Sequence, residues 1–504
     1  MNTTNNFVTV TVNGEKRSVA YGTRLSDLLH VALPCGGHGK CGKCKVNATG
    51  ALSPLSESEK NSLTAAEIEG GIRLACHTTV AGECTVSLLS APKANDKILT
   101  NAQSDLPASN PAFAKFGVAI DIGTTTLAAK LYDADGACLA EYGQMNPQSV
   151  WGADVISRIE ASMRGEAESM ADAICRAIDG ILTALAQKAN LDVKEIDAVV
   201  LTGNTAMLHL LTATSVEPLS HAPFDAKRLF GERLTAGELG LTAPMDDTEV
   251  YLPSCISAFV GADMVCALLA SGICERDDTA LLADIGTNGE MGLWHNGRLT
   301  VCSTAAGPAF EGVGISMGMN GSDGAIDRVT LQNDALQAHV IGEADPRGIC
   351  GSGLVDAVAC LLKNGTLDET GYLEDDPVTI SQPVVLTQQD IRMVQLAKSA
   401  ICAGLCTLLQ NADVAEDQAS ALYVAGGFGS YLNMQSAGEI GLIPSSLTNR
   451  VQVIGNAALT GAAMLLLNKE LQATATALAQ TASTADLASS PVFSELYMNG
   501  MMFE

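Results

Sequence analysis

Apolar and polar positions alternate with the period of a strand over residues 6–14 (NFVTVTVNG), and the run ends in Asn13-Gly14, the two-residue turn of a hairpin. KRSVAY supplies the returning strand. TRLSDLLHVAL then takes helical spacing, which predicts a helix leading into a Gly-rich loop. KCKVNATG returns to extended structure, SESEKNSLTAAEIEGG predicts a helix opening on Ser and Glu, and CTVSLL closes the sheet. Residues 1–91 therefore predict a small α+β unit of β-grasp type.

The pattern lapses over residues 92–115, which are rich in Asn, Ser, Ala and Pro and read as a linker. As a flexible coil it would reach roughly 5–6 Å × √n. From Phe116 apolar strands ending in glycines alternate with Ala-rich helices. Two stretches repeat one another: FGVAIDIGTTTLAAKLYDADG from Phe116 and ALLADIGTNGEMGLWHNGR from Ala280. Each predicts a strand, an Asp-Ile-Gly-Thr turn, a second strand and a hairpin. The repeat implies a duplicated two-lobed α/β body over 116–470, with its second lobe beginning near 280. Residues 471–504 are Ala/Thr/Ser-rich and read as a tail, helical or lying on the surface.

Composition narrows the class. A chain of 504 residues with 47 % hydrophobic content has room for several cores. The longest apolar stretch, SAFVGADMVCALLASGIC, is interrupted by Asp263 and reads as a buried helix rather than a membrane span. The opening residues have neither a basic region nor an apolar core, so no secretory signal is expected. Fifteen cysteines scattered along the chain suit a reducing cytoplasm better than a disulfide framework. The net charge of −27 argues against nucleic acid or an anionic membrane as partner. Residues 1–95 escape that excess, with nine Lys/Arg against seven Asp/Glu. Lys40, Lys43 and Lys45 surround one cysteine loop, either as solvated residues or as a docking rim for an acidic redox partner or for the acidic body itself.

That loop carries the first chemistry. Cys35, Cys41 and Cys44 lie in PCGGHGKCGKC, and Cys76 follows in RLACHT. Three thiolates in one Gly-rich loop with a distant fourth are the ligand pattern of a [2Fe–2S] ferredoxin, although the spacing between the first two is one residue longer than in the plant type. A structural zinc is the alternative, but zinc sites usually pair two short knuckles. Cys84 reads as a buried strand cysteine, and His38 as a loop residue.

The two Asp-Ile-Gly-Thr turns carry the second. Glycine lets backbone approach a phosphate, Thr hydroxyls and amides donate to it, and a strand-end Asp can hold Mg²⁺ through water. Asp121, Gly123, Thr124 and Thr125 form the first turn, and Asp284, Gly286, Thr287, Asn288 and Gly289 the second. In LYVAGGFGSYL, Gly426, Gly427 and Phe428 follow an apolar strand, where glycine admits a flat base or ribose. In this order the signals resemble the actin, sugar-kinase and Hsp70 superfamily of ATP-binding folds.

Further motifs narrow the resemblance: LTGNTAMLHLL (201–211), AGPAFEGVGISMGM (306–319), GAID (324–327), ICGSGLVDAV (349–358) and QLAKSAICAG (395–404). With the N-terminal ferredoxin they resemble the reductive activators of corrinoid proteins, over roughly residues 6 to 470. Some relatives carry a further domain between ferredoxin and ATPase, whereas here the linker runs straight into the first phosphate strand. The resemblance implies an ATP-dependent electron-transfer activator that reduces Co(II) to Co(I) on a corrinoid protein of a methyltransferase system. A ferredoxin- or flavodoxin-type donor would supply the electron at low potential. A shortfall of ~100–200 mV against a centre near about −400 mV amounts to ~2–5 kcal/mol per electron.

The resemblance also implies a homodimer, which no residue pattern here marks. It implies the cluster on Cys35, Cys41, Cys44 and Cys76, with ATP and Mg²⁺ as the other cofactors. Asp121, Asp284 and Glu311 are the catalytic candidates. Gly426, Gly427 and Phe428 would face the adenosine, the AGPAFEG loop with Glu311 and Gly351–Gly353 either line the nucleotide cleft or the partner surface or form plain turns, and Ser303 and Thr304 are candidate contacts to the corrinoid protein. Competing readings are an activator of a radical-type dehydratase, a nucleotide-binding redox sensor without turnover, and a kinase fused to a ferredoxin.

Overall fold

The Val/Thr alternation builds β1 (Phe7–Val12), which turns through Asn13 and Gly14 into antiparallel β2 (Glu15–Ala20). The computed structural model describes residues 7–29, 31, 33, 37–39, 42–88, 106–427 and 429–503. With β3 (Lys45–Leu52), β4 (Ile72–Leu74) and β5 (Val80–Leu88) the first strands form a five-stranded sheet ordered β2-β1-β5-β3-β4. β5 lies parallel to β1 and antiparallel to β3, the mixed arrangement expected of a β-grasp sheet. Val10, Val46, Leu74, Val80 and Val86 are fully buried beneath it.

Two local expectations change. The helix expected over TRLSDLLHVAL is, among the described residues, a single 3₁₀ turn at Leu25–Asp27. Leu25 N donates to Thr78 O and Ser26 N to Ala75 O, so tertiary partners take the amides while Leu25 and Leu29 fill the core. The helix expected after Ser56 is two short ones, Glu57–Ser62 and Ala65–Glu69, because Thr64 with Glu67 forms a second capping box behind Ser56 with Glu59.

The first lobe holds β6 (Phe116–Ile122), β7 (Thr126–Asp133), β8 (Cys138–Met145), β9 (Ile196–Gly203), β10 (Glu232–Thr235) and β11 (Glu249–Leu252). The second opens with β12 (Ala280–Ile285), β13 (Gly289–His295) and β14 (Arg298–Thr304). A ribbon of β15 (Ala325–Gln332), β16 (Ala335–Val340) and β17 (Gly348–Ile349) and a hairpin of β18 (Val378–Ser381) and β19 (Val384–Leu386) follow. β20 (Ala421–Ala425), β21 (Val451–Gly455) and β22 (Ser483–Thr484) complete it.

The two main sheets run β10-β11-β9-β6-β7-β8 and β21-β20-β12-β13-β14-β22. In both, a three-stranded antiparallel meander is followed by two parallel strands beside its first member: β8-β7-β6-β9-β11 and β14-β13-β12-β20-β21. The repeat visible in the sequence is thus a repeat of topology. Helices Ala262–Ser271 and Ala457–Leu467 pack against each other between the sheets, in a core that draws on β6, β9, β12 and β20. Small residues permit the approach: a Cβ on Gly461 would stand 2.0 Å from the Cys266 carbonyl oxygen.

Residues 92–105 of the expected linker lie outside the described residues, and the described remainder, like the expected tail, packs on the body. From Leu106 onward the chain is fastened to the body: Leu106 and Phe113 are buried, and Ala112 N donates to Leu466 O. Residues 471–503 are part of the second lobe, because β22 pairs with β14 and helix Pro491–Asn499 packs on helix Gln388–Asn411. Lys398 Nζ donates to Met502 O at 2.5 Å and sits over the Phe503 ring. Helix Gln388–Asn411 is long and apolar enough to span a membrane, but 78 % of its most apolar window is buried within the protein.

Gly461→Ala separates packing from helix propensity. Propensity alone favours alanine by about 1 kcal/mol, whereas overpacking against a backbone oxygen costs about 1–3 kcal/mol. We expect an earlier urea midpoint; a later one would mean that the helices tolerate a methyl group there.

Candidate functional site

The first turn leaves β6 at Ile122 and is held from behind. The Gly123 carbonyl accepts from Asn146 Nδ2 at 2.8 Å, Thr124 O from Arg158 Nη2 at 2.6 Å, and Thr125 O from Asn146 N at 2.9 Å. With three successive carbonyls engaged, the turn is fixed. Arg158 is fully buried and also donates to Gly152 O, and burial lowers its pKa to about 10. Asn204 caps helix Thr205–Leu211 and donates to Thr124 Oγ1 at 3.2 Å. The second turn leaves β12, and its Thr287 carbonyl accepts from Gly307 N.

One carboxylate spans the two turns. Thr125 Oγ1 donates to Glu311 Oε2 at 2.9 Å and Thr287 Oγ1 donates to Glu311 Oε1 at 2.7 Å. Beneath them is a cavity of about 370 Å³ walled by both lobes. It brings together Asp121, Gly123, Thr124 and Thr125, Asp284, Gly286, Thr287 and Asn288, Glu311, and Gly426 with Gly427. Gly351 and Ser352 also reach it, whereas Gly353 packs its Cα face on Ile326 O. Gly289 is the buried first residue of β13 and does not line the cavity. Gly426 has φ +92, and a Cβ there would meet Asp284 Oδ1 at 2.6 Å, so only glycine brings the β20 turn this near the carboxylate. Phe428 lies outside the described residues. Thr304 is buried in β14 beside Gly289 and Ser303 is part-buried, so the pair expected to touch a partner faces largely inward.

The cavity wall is acidic. Burial raises the Asp121 pKa to about 7, Asp263 to about 8 and Asp284 to about 6, and Glu290 goes well above its usual range. Mutual repulsion adds to burial at Asp121, Asp263 and Glu290, while Asn456 Nδ2, donating to Asp121 Oδ2 at 3.0 Å, opposes it. Among the described residues no three acidic, His or Cys groups close on a single point. Oxygen donors of this kind suit Mg²⁺, which keeps waters and shares phosphate oxygens rather than filling an all-protein cage.

At the N-terminal sheet, Cys44 and Cys76 are buried with Sγ atoms 3.2 Å apart. That is far longer than a disulfide bond of about 2.05 Å, and a few tenths short of the ~3.7 Å between two thiolates bonded at 2.3 Å to one tetrahedral metal. The Cys76 hydrogen bond, against the effect of burial, lowers the Cys44 pKa to about 7, which favours the thiolate a metal requires. These residues fit a metal–thiolate centre. Cys35 and Cys41 lie outside the described residues. Gly39 (φ +70) passes so close to His77 that a Cβ would stand 2.1 Å from Nε2, and His38 is exposed. Buried Glu59, accepting from Arg73, Thr78 and Leu74 N, braces the segment that carries Cys76. Cys84 is buried in β5, which raises its pKa.

Sequence reasoning missed Asp263, Glu290, Asn204, Asn456, Asn146 and Arg158. Asn204 and Asn456 were readable as helix caps. Nothing local marked their second bonds, to Thr124 and to Asp121.

Fold and site together define a two-lobed α/β protein of the actin-like class, with a cleft between duplicated lobes. The family description "C-terminal domain of RACo the ASKHA domain" matches residues 278–504, and "RACo middle region" matches 116–276. The chain is 34 % identical to the "Corrinoid activation enzyme RamQ" of Eubacterium limosum, over 77 % of this chain and 70 % of that one. It is 25 % identical to the "[Co(II) methylated amine-specific corrinoid protein] reductase" of Methanosarcina barkeri, over 76 % of each. A solved "Reductive activator for corrinoid,iron-sulfur protein" superposes with a TM-score of 0.71 at 26 % identity, over 98 % of both chains. The chain belongs to the family of reductive activators of corrinoid proteins.

The acidic wall sets a pH dependence. Its carboxylates hold protons in the folded state that the unfolded chain has lost, so their contribution to stability falls as pH rises from about 4 to about 8. Asp263→Asn should raise the nucleotide-free melting temperature at pH 8, by about 2–4 °C per 1 kcal/mol of relieved strain, and leave it unchanged near pH 4. Differential scanning fluorimetry at the two pH values checks this.

Proposed function

We propose that this chain is an ATP-dependent reductive activator of a corrinoid protein, delivering single electrons that convert the substrate's Co(II) into Co(I) in a corrinoid-dependent methyltransferase system. One observation carries the reading: a cleft with two phosphate-type turns and a close pair of buried cysteines share one chain. Family membership and the activities named for the relatives support it. A reducing cytoplasm is the setting it requires.

Thr124 and Thr125 with Thr287 and Asn288 would donate to the phosphates of ATP. Asp121, Asp263 and Asp284 would hold Mg²⁺ through water, since a cation favours the charged forms that burial disfavours. Glu311, once released from the threonines, is the group positioned to orient a hydrolytic water. Gly426 and Gly427 would admit the adenosine. Cys35, Cys41, Cys44 and Cys76 would hold a [2Fe–2S] centre, which supplies a one-electron carrier when bound. A low-potential ferredoxin or flavodoxin is the donor this reading needs, and a dimer is compatible with it.

The test mixes reduced protein, MgATP and a Co(II) corrinoid methyltransferase component and follows the visible spectrum. Co(I) should appear only with ATP; no change with any corrinoid partner would leave a nucleotide-binding redox sensor instead. Cys44→Ser should abolish Co(I) formation and lower the iron content while leaving ATP affinity within about 2-fold. Loss of both functions together would show that cysteine loop and cleft are one unit.

A further inference from the structure

Two loops at the rim of the cleft each touch a phosphate turn at one end and, at the other, a described residue beside or within the cysteine loop, Leu33 or Lys43. In the first, Asn146 holds the carbonyls of Gly123 and Thr125, and three residues on Ser149 O accepts from Leu33 N at 3.4 Å. In the second, Glu311 holds the hydroxyls of Thr125 and Thr287, and four residues on Ile315 O accepts from Lys43 Nζ at 3.4 Å. Lys43 directly precedes Cys44. Of the other lysines around the loop, Lys45 is paired with Glu67 at 2.6 Å and Lys40 lies outside the described residues.

The second loop cannot shift piecemeal. A Cβ on Gly318 would stand 2.2 Å from Gly312 O, and Met319 N donates to Ile349 O, so the stretch after Glu311 folds tightly on itself and onto the cleft wall. Ser316 N and Oγ donate to Asp390 Oδ1 at 2.7 and 3.0 Å, which anchors its far end.

We propose that the rim formed by residues 146–150 and 312–316 is the seat of the cysteine loop in the nucleotide-free protein. A nucleoside triphosphate unseats that loop by taking Thr125 and Thr287 from Glu311. Phosphate oxygens and the Glu311 carboxylate want the same two hydroxyl donors, and both are anionic. When the phosphates occupy them, Glu311 loses its hold on the turns, and the loop behind it turns about Ser316, whose bonds to Asp390 serve as the pivot, so that the Ile315 carbonyl swings from Lys43. This rests on the nucleotide reading of the cleft above. It adds the surface on which the N-terminal unit docks and the signal that releases it.

Hydrogen–deuterium exchange of the full-length holoprotein, with and without Mg²⁺ and adenylyl imidodiphosphate, tests it. Nucleotide should slow exchange in 121–126 and 284–289 and speed it at least 5-fold in 31–45 and 312–316. Glu311→Gln should show fast exchange in 31–45 already without nucleotide. Lys43→Ala supplies an independent reading by calorimetry: docking and nucleotide oppose each other, so reciprocity requires the variant to bind the analogue about 5-fold more tightly. Protected turns with unchanged exchange in 31–45 and unchanged affinity in Lys43→Ala would overturn the seat and leave the nucleotide site standing. Turns that nucleotide does not protect would remove the nucleotide site, and the seat with it.

Discussion

The arrangement of the body turns on one shared carboxylate. Glu311 accepts a hydroxyl from each Asp-Ile-Gly-Thr turn, so the two lobes meet at their most sensitive points through a single anion. Hydrogen bonds to a charged group contribute about 1.5–3 kcal/mol each, enough to hold the turns in register. Near that anion lie four acids whose protonation is already displaced by burial and, at three of them, by neighbouring acids. The cleft is therefore polarised: hydroxyl donors presented by the turns, and beneath them a carboxylate wall that a cation would relieve. A triphosphate carrying a divalent cation complements both halves at once, and neither component alone does.

Duplication explains the geometry, and its imperfections give the two turns different supports. Matching five-strand orders place both turns at the ends of the central strands β6 and β12, facing each other across the cleft. The first turn is backed by a buried arginine and two asparagines, whereas Gly307 N backs the second. Cross-lobe ties add to the Glu311 bridge. Asn456, capping a helix of the second lobe, holds Asp121 of the first, and Gly461 lets that helix close on Cys266. Bridge, cap and helix contact leave the lobes a shared base with a separable rim, the mechanics of a hinge.

What the sequence made legible follows from range. Strand alternation, an Asn-Gly turn, two Asp-Ile-Gly-Thr repeats and a cysteine spacing are local signals, and each reports chemistry within a dozen residues. Asp263 shows the limit. In the chain it is only an interruption that disqualifies an apolar stretch from spanning a membrane; in the fold it begins a core helix and faces Asp121 and Asp284. The Asn456–Asp121 bond joins positions 335 apart, which no spacing rule encodes. Where the spacing predicts a helix at TRLSDLLHVAL, the chain forms a 3₁₀ turn tied to the segment between β4 and β5, with Leu25 N and Ser26 N donating to Thr78 O and Ala75 O, contacts that no local pattern announces. The tail misled through composition: Ala and Thr are weak markers of burial, yet Phe503 and β22 complete the second lobe.

Magnitudes connect the cleft to the proposed electron transfer. Driving one electron uphill by ~100–200 mV requires ~2–5 kcal/mol. Exchanging two charge-assisted hydrogen bonds at Glu311 involves about 3–6 kcal/mol in gross terms, the same order, so no large rearrangement of either lobe is needed to carry that coupling. What is required is that the change reach the cysteine loop. On the proposal made above, the route would be mechanical and would run through the tightly folded segment from Glu311 to Ser316, whose backbone is closely packed at Gly312 and held at Ser316.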